Sequence, residues 1–373
     1  MDYKDGYMAN KIPDGVEFIE YNKKELVPKD AIIVFQGVYL WRIRSFSRFP
    51  ETCRVLFWHL HPDIYFPFYK YKFINHKYLK YITLIMSFMK YRLGRSLVRK
   101  LLSKKALVFM DKPNEESTFN YFKLNLFSSE YLKIFTENNT KITICDTKYV
   151  NKKHLNFGWI GRLEDFKSTI LLHTLERLKS VTAVEFNFTI IGKGHDSQKF
   201  QDFKDNCSEF DIVIINEIKP DDIPLYLSRF DILFAMGTSA LEGAKLGVPT
   251  FLLDYSYREF VGLYKYELLY EKSGFSVGEL ISDKNIEEKC SLGSRILDIL
   301  ENFEKVSADC KKYWEENFSP STFIVDLEKS TESTSMTVGD LLRSGFHKPD
   351  IITKLLFKIR KPPVIVENSA WQY

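Results

Sequence analysis

Asp231-Ile232-Leu233-Phe234-Ala235-Met236-Gly237-Thr238-Ser239-Ala240-Leu241-Glu242-Gly243-Ala244-Lys245-Leu246-Gly247-Val248-Pro249-Thr250 is the stretch on which the fold class turns. An apolar run reads as a strand, Met236-Gly237 as a tight turn, and 239–246 as a short helix. Gly247 and Pro249 stop that helix, and a second apolar run starts at Thr250. Strand, helix and strand in so few residues give a parallel crossover unit. Amides at Gly237, Thr238, Ser239 and Ala240 would point from the helix start toward a phosphate. Glu242, one turn in, could accept bonds from a ribose diol. Ser239-Ala240-Leu241-Glu242 is also a capping box, with Glu242 folded back on the backbone. Spacing alone favours the capping box.

The same alternation extends outward in both directions. Strands are expected at 157–160, 186–191, 211–215, 231–235 and 250–253, with helical periods over 168–178, 221–228 and 239–246 between them. Further strands are expected upstream, at 16–21, 31–36, 54–58, 106–110 and 141–145. Short strands alternating with helices imply an α/β architecture, parallel sheets covered on both faces. The 373 residues suffice for two such domains. The polar stretch 147–155 marks the boundary, giving domains over 1–148 and 149–318. Residues 319–373 read as a Ser/Thr-rich linker over 330–337 and a basic amphipathic tail around Lys354, Lys358, Arg360 and Lys361.

Composition excludes several classes. Hydrophobic residues at 45% and charged residues at 27% rule out collagen-like, disordered and disulfide-stapled chains. Cys53, Cys145, Cys207, Cys290 and Cys310 form no metal-like spacing, and their odd number fits a reducing compartment. The longest apolar run, 81–89, is too short to span a bilayer, so a soluble chain is expected. Met1-Asp2-Tyr3-Lys4-Asp5 resembles the start of an epitope tag, but Gly6-Tyr7-Met8 replaces the acidic run, and the segment is read as native.

The net charge of +4 is mild but unevenly placed. No acidic residue falls between Asp63 and Asp111, whereas Lys70, Lys72, Lys77, Lys80, Lys90, Arg92, Arg95, Arg99, Lys100, Lys104 and Lys105 all do. Aromatic residues such as Tyr65, Phe66, Tyr71, Phe73, Phe88 and Tyr91 are interleaved with them. Cations with aromatic insertion suit an anionic membrane surface, contacted through residues 64–110. A solvated helix face is the plainer alternative. No recognition motif accompanies the patch, so nucleic acid is not expected.

Other segments could carry chemistry. In Phe157-Gly158-Trp159-Ile160-Gly161-Arg162-Leu163-Glu164-Asp165-Phe166-Lys167 a strand ends in a glycine turn, and Arg162 and Lys167 flank a helix entrance. Two fixed cations there suit a diphosphate, although a surface Arg and Lys at an ordinary junction look the same. Gly192-Lys193-Gly194 is a second strand-to-glycine turn, where a ligand could approach the backbone. It lacks the third glycine and downstream acid of a dinucleotide site, which argues against nicotinamide or flavin. His59 and His61 follow the 54–58 strand, and Asp111 ends the 106–110 strand. Each is a catalytic candidate, with hydrogen-bonding or helix-capping roles as the alternative. No metal-binding motif is seen.

Taken together, Gly161-Arg162 with Lys167, Gly192 and Gly194, and Ser239 and Glu242 with Gly247 and Pro249, in that order, resemble the nucleotide-binding domain of the family-4 retaining glycosyltransferases. The resemblance covers about 156–254 well and the first domain only loosely. It implies a GT-B fold, two Rossmann-like domains facing across a cleft. It also implies sugar transfer, with retention, from a UDP- or GDP-linked donor to a lipid-linked or surface-polysaccharide acceptor, at the cytoplasmic face of the membrane and without a cofactor. Arg162 and Lys167 would hold the diphosphate, the backbone after Gly237 would face it, and Glu242 would bind the ribose. Glu217, Ile218 and Lys219 match the base-binding region. His61 or His59 would help at the acceptor, while the leaving phosphate itself takes the proton. Two features depart from the family. Phe234 stands where a glutamate usually precedes Glu242 by a seven-residue gap, and a first strand and glycine loop are missing at the N terminus. The alternative reading is a catalytically silent accessory subunit.

Overall fold

The computed structural model describes residues 15–16, 27–36, 49–61, 79–125, 130–137, 154–260, 262–282, 285–286 and 291–345. The expected strands over 17–21 and 141–145, the basic residues at 62–78 and the tail beyond 345 lie outside them. In chain order the elements are β1 (Ile32–Gln36), β2 (Arg54–His59), α1 (Leu79–Ser103), β3 (Leu107–Phe109), α2 (Lys112–Phe122), β4 (His154–Ile160) and α3 (Asp165–Leu178). They continue with β5 (Glu185–Ile191), α4 (Ser197–Asp205), β6 (Asp211–Ile215), α5 (Ile223–Leu227), β7 (Ile232–Ala235), α6 (Thr238–Lys245), β8 (Thr250–Leu252) and β9 (Glu267–Leu268). Four helices close the described chain: α7 (Leu292–Glu301), α8 (Phe303–Asn317), α9 (Pro320–Ser333) and α10 (Val338–Ser344). The protein is α/β, built on parallel-strand sheets.

Two compact units divide the chain. The first contains residues up to Phe109, Asn114–Glu130 and the chain from Lys329 onward; the second contains Met110–Pro113 and Tyr131–Glu328. In the first, β1, β2 and β3 pair in that order, all parallel. Leu97, Val98 and Leu101 of α1 are buried, and so are Phe119 and Phe122 of α2.

The stretch 330–337, expected as a linker, is packed structure instead. It finishes α9 and then completes the first unit's sheet. β3 reaches only as far as Phe57, Trp58 and His59 of β2, so the start of β2 lacks a partner on that side. Met336 fills the gap: its carbonyl accepts the Val55 amide (2.8 Å), and the Thr334 hydroxyl donates to Val55 O (2.7 Å). Thr334 and Met336 are buried. Thr334 here satisfies strand backbone, Ser333 bonds within α9 and Thr337 caps α10, which composition alone cannot reveal.

The second unit holds six strands in the order β6-β5-β4-β7-β8-β9, parallel except for β9. β4 is first in sequence but third in space. The chain winds outward from it through β5 and β6, then returns to lay β7 and β8 on its other side. Strands covered on both faces are apolar nearly throughout, and every residue of β7 is buried. An aromatic ladder crosses four neighbouring strands. Phe186 of β5 stacks on Phe157 of β4 (4.6 Å), Phe157 meets Phe234 of β7 edge-on (6.1 Å), and Phe234 stacks on Phe251 of β8 (5.2 Å). Helix α3 buries Ser168, Leu171, Leu175 and Leu178 at three- and four-residue intervals and exposes Glu176 and Arg177.

The loops after β4 and β5 lie against each other, backbone to backbone. Gly161 N donates to Ile191 O (3.0 Å), and Leu163 N to Lys193 O (3.1 Å). A Cβ on Gly192 (φ +152°) would stand 1.9 Å from Gly161 O, and one on Gly194 2.2 Å from Leu163 O. Those glycines therefore let one loop approach another. Gly192→Ala should cost about 3 kcal/mol of stability or more, since a carbonyl must move and a positive φ be kept. Urea unfolding of the variant measures it; a loss under about 1 kcal/mol contradicts the packing described.

Candidate functional site

In an open parallel sheet, ligands bind beyond the carboxyl ends of the strands, where the winding direction reverses. Here that reversal falls between β4 and β7, which are hydrogen-bonded neighbours. The loop after β4 carries Gly161, Arg162 and Leu163 into α3, while the turn after β7 is Met236-Gly237 and leads into α6. The Gly192 to Gly194 turn ends β5, next to β4, and Glu217, Ile218 and Lys219 follow β6, one strand further. The donor-binding candidates read from the sequence thus gather on one edge of one sheet.

Arg162 is exposed and Lys167 half-buried. Burial, and then the Arg162 cation, push the Lys167 ammonium down to about 8 from its ordinary 10.5, with Glu164 opposing. Two like charges are therefore close enough to repel, one of them partly out of water. An anion placed between them relieves the cost.

The second wall is the start of α6. Gly237 has φ +68° and ψ −145°, no side chain caps the helix, and the space where a Cβ would stand is open. The Gly237 amide donates to Val277 O (2.6 Å). Helix α6 begins at Thr238, so Ser239 lies inside the first turn and the capping box is not formed. Glu242 pairs with Lys245 (2.5 Å), whose ammonium also donates to Glu137 O (2.8 Å). Phe234 is a rung of the aromatic ladder, fully buried within β7. The two-residue turn after β7 has no room for a glutamate-bearing loop.

On the outer flank, the segment after β8 is tied down to α3. Ser256 N donates to Phe166 O (3.0 Å), and His173 Nε2 and Arg177 both donate to Gly262 O, at 2.9 and 2.8 Å. Its base is the fully buried Asp254. Its Oδ2 accepts from Lys272 Nζ (2.7 Å), Tyr264 Oη (2.8 Å) and Asn285 Nδ2 (2.8 Å), and its Oδ1 from Glu279 N (3.0 Å). Burial alone would lower Lys272, but Asp254, with Glu267 and Glu279, outweighs it and holds the ammonium above its ordinary range. Sequence reasoning missed this cluster, and no local motif signals it, because its members span residues 254–285.

His59 and His61 stand at the carboxyl end of β2 in the first unit. His59, the last residue of β2, is buried beside Phe109, and burial pushes its imidazole down to about 3. It stays neutral at physiological pH. His61, two residues on, is exposed and so is the accessible one of the pair. Asp111, in the short Met110–Pro113 piece of the second unit, is buried just before α2. Among the described residues no group of three His, Cys, Asp or Glu could hold a metal, and no helix is long and apolar enough to cross a membrane.

No family model and no curated protein matches this chain. Among solved structures it is similar to a glycosyltransferase from Rickettsia africae ESF-5, at 13% identity and a TM-score of 0.47 over 81% of this chain and 76% of that one. It is similar to TarM at 15% and 0.49, over 83% and 55% of the two chains. It is also similar to the pneumococcal O-GlcNAc transferase GtfA in complex with UDP and GlcNAc, at 12% and 0.43, over 78% and 54%.

The lowered Lys167 has a thermodynamic consequence. The unfolded chain keeps this group near 10.5, so between about 8 and 10.5 it binds more protons than the folded state, and stability rises with pH across that window. Below about 8 the full cost is present. Lys167→Met should therefore stabilise the ligand-free protein at pH 7 by on the order of 1–3 kcal/mol and flatten the slope between pH 8 and 10. Denaturant titrations at several pH values check both; a destabilised variant would show the lysine to be structural.

Proposed function

We propose that this chain is a glycosyltransferase of the GT-B kind, taking a hexose from a UDP- or GDP-linked donor. The observation that carries the reading is the partly desolvated, mutually repelling pair Arg162 and Lys167 on one side of the strand-order reversal, with the glycine-started helix α6 on the other. A diphosphate laid there meets two cations and the first-turn amides of α6. As the bond between anomeric carbon and phosphate oxygen breaks, negative charge grows on the departing diphosphate, and these groups stabilise it more than they stabilise the intact donor. Glu242, oriented by Lys245, accepts the ribose hydroxyls, and Ile218 with Lys219 borders the base. Retention follows if the departing phosphate accepts the proton of an acceptor hydroxyl arriving on its own face.

Isothermal titration with UDP, GDP and their common hexose conjugates tests this reading. One nucleotide should bind at pH 7, about ten-fold or more weaker in Arg162→Ala and Lys167→Met, and wild-type binding should weaken above pH 8 as Lys167 loses its proton. Proton NMR of the transferred sugar should show the donor's anomeric configuration. Absence of binding to every nucleotide defeats the reading.

The acceptor we propose is a lipid-linked or polysaccharide precursor at the inner face of the cell membrane. Helix α1 supports it. Its outer face presents exposed Phe88 (58%), Arg92, Leu93 (48%) and Arg99, with Arg92 lying over the Phe88 ring (5.7 Å), while Leu97, Val98 and Leu101 face inward. Apolar side chains ringed by cations fit an anionic lipid surface. The protein should sediment with phosphatidylserine-containing vesicles and not with phosphatidylcholine alone, release at high salt, and weaken in the Phe88→Ser, Leu93→Ser double variant. Equal binding to both vesicle types, or to neither, contradicts it.

A further inference from the structure

Tyr257 is one of the most exposed large side chains among the described residues, at 64%, yet it is held in place. Its ring meets Tyr255 edge-on (5.8 Å, 79°) and Phe166 at a tilt (5.9 Å, 44°). Ser256 before it is locked from both sides: its amide donates to Phe166 O, and its hydroxyl accepts from Arg258 N (3.2 Å) and donates to Arg258 O (2.7 Å). The loop is pinned again at Gly262 by His173 and Arg177, and at its root by the buried Asp254 cluster. A rigid aromatic presented to solvent on a loop fixed at both ends loses little entropy when it takes a ligand.

Its position along the sheet edge gives the ligand. The Phe166 ring that Tyr257 touches also lies 5.9 Å from the Lys167 ammonium. Ring and cation therefore flank one residue. The base region sits beyond β6, on the far side of β4 from β7 and β8. With the diphosphate at β4 and the base on the β6 side, the remaining part of a sugar nucleotide extends toward β7 and β8. The turn after β7 offers that part a buried methionine and a glycine, so no side chain of the turn can contact it. The next loop outward is the one carrying Tyr257.

We infer that Tyr257 is a platform for the donor sugar, its ring lying against the C–H face of the pyranose while the hydroxyls on the other face stay available. This rests on the nucleotide-sugar reading above and extends it to the moiety for which the reading names no contact. A flat, polarisable ring suits a pyranose face, which is apolar where its hydrogens point one way.

The test compares Tyr257→Ala and Tyr257→Phe with wild type by titration at pH 7. The probes are UDP, GDP, UDP-glucose, UDP-N-acetylglucosamine and GDP-mannose. Tyr257→Ala should weaken the nucleotide sugar that wild type binds by about three- to ten-fold and leave the parent nucleotide unchanged. Tyr257→Phe, which keeps the ring, should match wild type. Equal losses for nucleotide and nucleotide sugar would put the ring on the base and overturn the inference, as would no loss for either. Should wild type bind no nucleotide at all, it is the parent reading that falls, and this one with it.

Discussion

The proposed nucleotide-sugar site depends on a half-buried cation beside a second one. Lys167 is carried by the first turn of α3 into partial burial next to Arg162, and burial first, then the Arg162 cation, push its ammonium down despite Glu164. Natural sequences tolerate such local conflict mainly where a ligand resolves it. What forces the conflict is backbone geometry. The loop after β4 is clamped to the loop after β5 through glycines whose missing side chains are filled by carbonyl oxygens, so neither loop can swing away to part the charges.

The wall opposite works without side chains. A two-residue turn after β7 brings α6 up to the sheet edge with its first amides foremost, and the ladder of Phe186, Phe157, Phe234 and Phe251 fixes the strands that carry both walls. Recognition of a phosphate by amides is indifferent to what the phosphate carries. Selectivity for the rest of a ligand must then come from neighbouring loops. The pinned segment after β8, rooted in Asp254 and Lys272, is the neighbouring loop held most firmly against α3.

Much of this was legible in the sequence, for a physical reason. Strands buried on both faces are apolar runs, and the runs at 186–191, 211–215 and 231–235 fall within a residue of the strands observed. The positions of Arg162 and Gly237 just past the ends of β4 and β7 were legible as turns after apolar runs, whereas the burial of Lys167 within α3 left no local trace. Phe234 was legible as a departure from the family's glutamate, but its place as a buried rung of the aromatic ladder was not. The capping box at Ser239 to Glu242 failed because α6 starts at Thr238, one residue before the motif requires. The glycines at 192 and 194 were recognised as close-approach positions, but the object approaching is another loop. Long-range partners such as Asp254 with Asn285, or Met336 with Val55, leave no periodic trace.

That last pairing bears on how the chain is made. The β2 strand lies among the first sixty residues, yet the carbonyl that takes the Val55 amide comes from Met336. Vectorial synthesis delivers nearly the whole second unit before that carbonyl leaves the ribosome. The earlier-made unit must wait, its central strand half-clothed, while the later-made one has every segment it needs to close. The carboxyl-side unit is thus the first able to complete its own sheet, against the usual order of amino-terminal domain first.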